Sequence, residues 1–107
     1  TVNLMLGTLK RGQIQSFIAQ LSRFTGLSPA TVYEILMQPS GQGLAVAAKA
    51  FNITKQDFTS MYLLTNRVRN KGKMVDLKDL TRAVHYYDQI KPEVAKGIMN
   101  NEDKTSK

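Results

Sequence analysis

Cysteine is missing from the chain, so a disulfide framework, a thiolate metal site and a cysteine nucleophile are all excluded. Tryptophan is missing too, which removes the largest side chain on which a nucleobase could stack. The single histidine, His85, cannot build a zinc site without thiolates or a second imidazole. No apolar run is long: "LAVAAKAF" falls far short of the roughly 20 residues needed to span a membrane. The opening "TVNLMLGTLKRG" has neither a basic first segment nor an apolar stretch long enough for a secretion signal, and a cytoplasmic setting is expected. The chain begins on Thr rather than Met, so it is expected to be either a processed protein or, the leading reading, part of a longer one.

Acidic residues are scarce as well. Eight Asp and Glu stand against fifteen Lys and Arg, a net charge of +7, and such a balance suits an anionic partner because Lys and Arg displace counterions from phosphates. The rest of the composition is that of a folded domain. Hydrophobic residues make up 42% and charged residues 21% of 107 positions, too apolar for a disordered chain and enough for one buried core.

Apolar spacing is helical almost throughout. In "GQIQSFIAQLSRFTG", Ile14, Phe17, Ile18 and Leu21 recur at i, i+3, i+4 and i+7, one face of a helix that Gly26 ends. Ser28 and Pro29 open the next helix as N-cap and first position, with Val32, Ile35 and Leu36 as its buried stripe. Pro39 stops it, Gly41 and Gly43 turn the chain, and the small residues of "LAVAAKAF" admit a close neighbour. Thr54 reads as an N-cap, with Asp57 favourably placed in the first turn, for a helix running to about Arg69. Asp76 caps a further helix with Leu77, Leu80, Val84 and Tyr87 on one side. Pro92 restarts the chain in a last short helix carrying Val94 and Ile98. Residues 1–10 are expected to lead as a helix despite Gly7. Phe17, Phe24, Phe51, Phe58, Met61 and Tyr62 are expected in the core.

"TGLSPATVYEILMQPSG" has the form of a DNA-binding helix-turn-helix unit, yet the same turn occurs twice. At an offset of 26 residues, Ser22 meets Ala48, Gly26 meets Asn52, Leu27 meets Ile53, Ser28 meets Thr54, Val32 meets Phe58 and Ile35 meets Met61. Each pairing keeps one role: small residue, left-handed helix end, apolar plug, N-cap, core, core. The signature therefore reports hairpin packing. Ala30, Thr31, Tyr33, Glu34 and Gln38, the positions expected on the outside of the second helix, offer little to base edges, and Glu34 would repel phosphate.

Residues 7–54 resemble the core of the bacterial domain of unknown function numbered twenty-three thirty-six. The positions carrying the resemblance are Arg11, Gly12, Phe17, Leu21, Gly26, Leu27, Leu36, Gly41, Gly43, Leu44, Ala45, Lys49 and Ala50. It implies an α-helical, repeat-like domain of a bacterial protein, often within a longer chain, and brings no known activity.

Candidate chemistry is sparse. His85 has no converging partners for catalysis. Asp76 and Asp79 are explained as an N-cap and a first-turn charge, and "GQG" at 41–43 is too short for a phosphate loop. The basic stretch "RVRNKGK" is stronger, with Arg67, Arg69, Lys71 and Lys73 within seven residues. It reads either as a patch for phosphates, RNA or an acidic protein, or as cations that complement a helix C-terminus and keep a loop solvated.

The combined expectation is all-α: a single helical domain over residues 1–100, a compact helical-hairpin repeat with HEAT-like or helix-turn-helix-like packing and six to seven helices. Its related hairpins lie at about 13–37 and 42–69, and a flexible polar tail follows at 101–107. No catalytic residues, cofactor or metal are expected. The leading function is a non-catalytic protein-interaction or scaffolding module that meets another protein or other domains of its own chain. The alternative is non-specific DNA or RNA binding through Arg67, Arg69, Lys71 and Lys73.

Overall fold

The turn that the sequence uses twice is built from the same parts both times. A computed structural model describes residues 2–38, 41–70 and 74–106, without the side chains of 70 and 101–106. In the first turn, helix α2 (Ile14–Thr25) ends at Gly26 with φ 79°, Leu27 plugs the core, and the Ser28 hydroxyl accepts from the Thr31 N–H to start α3 (Pro29–Met37). In the second, α4 (Gln42–Ala50) is followed by Asn52 with φ 59° and buried Ile53, and the Thr54 hydroxyl accepts from the Asp57 N–H to start α5 (Lys55–Leu64). Val32 and Phe58, and Ile35 and Met61, are buried at matching positions.

One difference between the turns, Ser22 against Ala48, has a consequence elsewhere in the fold. Ser22 Oγ donates to the Leu27 carbonyl at 2.6 Å. Ala48 has no hydroxyl to offer Ile53, and the Ile53 carbonyl is satisfied instead by Tyr87 Oη at 2.6 Å, from helix α7 (Leu77–Gln89). A buried carbonyl without a partner is costly, and α7 supplies the partner that the missing hydroxyl cannot. Tyr87 also stacks on Phe58, ring centroids 5.4 Å apart and planes 11° apart, and Lys49 Nζ lies 4.4 Å from its ring centroid. Burial pushes the Tyr87 hydroxyl above the ordinary tyrosine range, with the Asp88 charge adding and Lys55 opposing.

Helix α4 is the centre. Leu44, Ala45, Val46, Ala47, Ala48 and Ala50 are all buried, because α3, α5, α7 and α8 (Pro92–Ser106) pack around it. Its small side chains are what let these axes approach, as expected. Helix α1 (Val2–Lys10) lies outside, against α2 and α5, burying Met5, Leu6, Thr8 and Leu9. One core runs from Met5 to Met99.

Eight helices are present among the described residues, and no strand. The eighth arises where a single helix to about Arg69 is expected, because the chain breaks at Thr65 and resumes as α6 (Asn66–Asn70). Thr65 Oγ1 donates to the Met61 carbonyl at 2.7 Å and accepts from Arg69 Nη1 at 2.6 Å. Arg69 Nη2 donates to the Tyr62 carbonyl. The guanidinium thus covers the free carbonyl end of α5, where the helix dipole favours a cation. Its central carbon lies 4.2 Å from the centroid of the Tyr62 ring, and a Cβ at Gly41 (φ 69°) would collide with that ring.

Five further expectations shift. On α7 the buried position is Ala83, with Leu80, Val84 and Tyr87 half-buried and Leu77 exposed. On α8 Ala95 and Met99 are buried while Val94 is exposed. The backbone from 101 to 106, expected as a polar tail, continues α8. Phe24 reaches the surface instead of the core, and Thr31 is buried instead of exposed, its hydroxyl 2.9 Å from that of Ser28.

Candidate binding cleft

Of the four cations singled out by the sequence, the structure separates two. Arg67 is exposed on α6, and Arg69, only two residues on, is buried. A half-turn separates them on the helix, so one points out and the other into the Thr65 break. Burial pushes the Arg69 guanidinium below its ordinary value, and the neighbouring Tyr62 hydroxyl opposes this. An arginine stays charged under such shifts, but with its amino groups committed to Thr65 and Tyr62 it is no contact for a phosphate. That corrects the expectation of a surface patch including Arg69. Lys71 and Lys73 lie outside the described residues.

Arg67 instead joins residues far from it in sequence. A cleft of about 300 Å³ opens between the C-terminal end of α1 and the α5–α6 junction. Leu9, Leu63 and Leu64 supply apolar wall, and Lys10 and Arg67 supply charge. Gly12, in the α1–α2 turn with φ 80°, lies beneath the Arg67 guanidinium: a Cβ there would stand 3.1 Å from Nη2 and 3.4 Å from Nη1. Among the described residues the two ion pairs, Lys55–Asp88 and Arg82–Asp79, lie elsewhere. Lys10 and Arg67 are exposed and have no acidic partner among the described residues. Sequence reading missed Lys10, Leu9 and Leu63. The signal present was the Lys10–Arg11–Gly12 run at a helix end, which falls some 50 residues from Arg67.

A second groove, of about 310 Å³, lies between α1 and α2 and is lined by Leu4, Met5, Gln20, Arg23 and Phe24. Leu4 is 68% exposed there. A third, of about 340 Å³, runs where both left-handed turns meet α8, with Leu27, Phe51 and Met99 in its walls and Lys96 beside them. The outer side of α3 presents Ala30, Tyr33 and Glu34, while Gln38 Oε1 is held by the Gly43 N–H at 2.9 Å, capping α4. His85 is exposed. No group of three His, Cys, Asp or Glu converges among the described residues, and no helix there is long and apolar enough to cross a membrane.

The sequence profile of a bacterial family, described as an uncharacterised protein conserved in bacteria (DUF2336), matches residues 1–100. The chain belongs to this family. No curated protein and no solved structure matches it. The positions that suggested DUF2336 are structural in this member: Phe17, Leu21, Leu27, Leu36, Leu44, Ala45 and Ala50 are buried, Gly41 lies against Tyr62, and Gly12 lies against Arg67. Of these positions Gly12 alone lines the cleft.

Proposed function

We propose that this DUF2336 domain is a non-catalytic protein-interaction or scaffolding module, working in the cytoplasm within a longer bacterial protein. The observation that carries the reading is the composition of the α1–α6 cleft. Leu63 remains 43% exposed in a cleft it shares with two cations that have no acidic partner among the described residues. Exposed apolar side chains rimmed by charge suit a protein surface better than a nucleic-acid backbone, which contributes phosphates and no apolar anchor. The nucleic-acid alternative keeps Arg67 and gains Lys10, but loses Arg69.

Site-specific photo-cross-linking in the native bacterium tests this. The photoreactive residue is placed at Leu63, and for comparison at Gln56, an exposed position on α5. Discrete protein adducts from position 63 and none from 56 are expected. Adducts to RNA or DNA, or the same adducts from both positions, would overturn the reading.

A further inference from the structure

We infer that the α1–α6 cleft docks an acidic peptide segment of a partner protein, with one apolar side chain inserted between Lys10 and Arg67. The inference rests on the interaction reading above and names the partner's chemistry.

Size sets the first limit. At about 300 Å³ the cleft is at the lower end of the roughly 300–1,000 Å³ range of ligand pockets. It fits one anchoring side chain with its neighbours, as in linear-motif recognition. Leu9 and Leu64 form the wall against which such an anchor loses water, and Leu63 stands exposed at the mouth.

Charge sets the second. Lys10 ends α1 and Arg67 lies on α6, so cations approach the cleft from both elements that form it. The guanidinium lies beside Gly12, where the lack of a side chain leaves it room, and its planar fork suits a carboxylate. No Asp or Glu lines the cleft, and the whole chain carries +7, which steers acidic segments toward it and basic ones away.

Apolar content decides between peptide and nucleic acid. A single-stranded nucleic acid seeks aromatic platforms, and no aromatic side chain lines this cleft. The three leucines offer nothing to a phosphate. They suit a Leu, Ile or Phe flanked by Asp or Glu.

The test is selection of random dodecapeptides displayed on phage against the protein, followed by fluorescence anisotropy with the selected consensus peptide. Enrichment of sequences with Asp or Glu close to a Leu, Ile or Phe is expected. Arg67→Glu, Lys10→Glu and Leu63→Ser should each weaken the consensus peptide by about tenfold or more. Arg82→Glu, an exposed cation paired with Asp79 on α7, should leave it unchanged, and circular dichroism melts check that every variant folds. No enrichment, enrichment without acidic residues, or indifference to Arg67→Glu would overturn the inference. Tighter binding of duplex DNA or single-stranded RNA, lost on Arg67→Glu, would reassign the cleft to phosphates. If Leu63 still cross-links to protein in cells while no acidic peptide is selected, this inference fails and the broader reading stands; if both fail, neither survives.

Discussion

Arg67 and Gly12, 55 positions apart in the chain, meet where a Cβ on the glycine would crowd the guanidinium. With φ 80° and the guanidinium 3.1 Å from the site of a Cβ, the α1–α2 turn is constrained both by its own backbone and by its neighbour. Gly12→Ala should therefore destabilise the domain by about 1–2 kcal/mol, the usual cost of the left-handed region for an L-residue, plus whatever the displaced guanidinium adds. Arg67→Ala alone should change stability by no more than about 0.5 kcal/mol, as exposed positions do. Urea unfolding of the two single variants and the double variant isolates the contact. If Gly12→Ala costs the same with and without the arginine, the guanidinium is mobile and does not rest on the turn.

Arg69 should behave in the opposite way. It satisfies the end of α5 through Thr65 Oγ1 and the Tyr62 carbonyl, and hydrogen bonds from charged groups are worth about 1.5–3 kcal/mol. Arg69→Met should lower the unfolding free energy by about 2–3 kcal/mol, and Arg69→Lys should recover little, because an ammonium lacks the planar fork that reaches both acceptors. A loss below about 0.5 kcal/mol in urea unfolding would mean that Arg69 sits at the surface with Arg67.

Much of the architecture was legible because local chemistry and packing agree. Ser28 and Thr54 cap helices wherever they are met, Gly26 and Asn52 tolerate positive φ, and Val32 and Phe58 have only a core to enter. The alignment of Ser22 with Ala48 showed the repeat, but not that the lost hydroxyl would call on Tyr87, 39 residues further along. The break at Thr65 was hidden because "YLLTNRVRN" carries no Gly or Pro to interrupt a helix. What accompanies the break is a local contact, Arg69 reaching back four and seven residues to the Thr65 hydroxyl and the Tyr62 carbonyl. The cleft was harder still. A run of alternating cations announces charge, but which of them faces solvent depends on the phase of a five-residue helix. Lys10 and Arg67 become neighbours only after α1 has packed on α5.

Alkaline pH should weaken the fold through two tyrosines, buried Tyr62 and half-buried Tyr87. Burial raises the hydroxyl pKa of both Tyr87 and Tyr62, with Arg69 opposing the rise at Tyr62. A tyrosine with a raised folded-state pKa holds its proton longer folded than unfolded. Its contribution is fully present below the unfolded value of about 10 and is lost as pH rises from there through the folded value. Chemical denaturation between pH 8 and 11.5 should show stability insensitive to these groups up to about pH 9 and falling above 10. Tyr87→Phe should flatten the fall, since it removes one of the two groups. An unchanged slope in that variant would show that the Tyr87 hydroxyl titrates alike in both states.

The repeat itself supplies the sharpest test of what Tyr87 does. Removing its hydroxyl leaves the Ile53 carbonyl without the partner now 2.6 Å away, and an unsatisfied buried acceptor costs about 1–3 kcal/mol. Tyr87→Phe keeps the stacking on Phe58, so its cost in urea unfolding should fall in that range. In the first turn the same duty belongs to Ser22, whose counterpart is Ala48. Ala48→Ser should therefore restore a good part of the stability lost in Tyr87→Phe. In the wild-type background the same change should be neutral or slightly harmful, because the carbonyl is already served and Ala48 is fully buried, where an added atom crowds its neighbours. A rescue confined to the Tyr87→Phe background would establish that the two turns solve one hydrogen-bonding problem by two routes. Equal effects of Ala48→Ser in both backgrounds would mean that the second turn cannot use a local hydroxyl as the first one does.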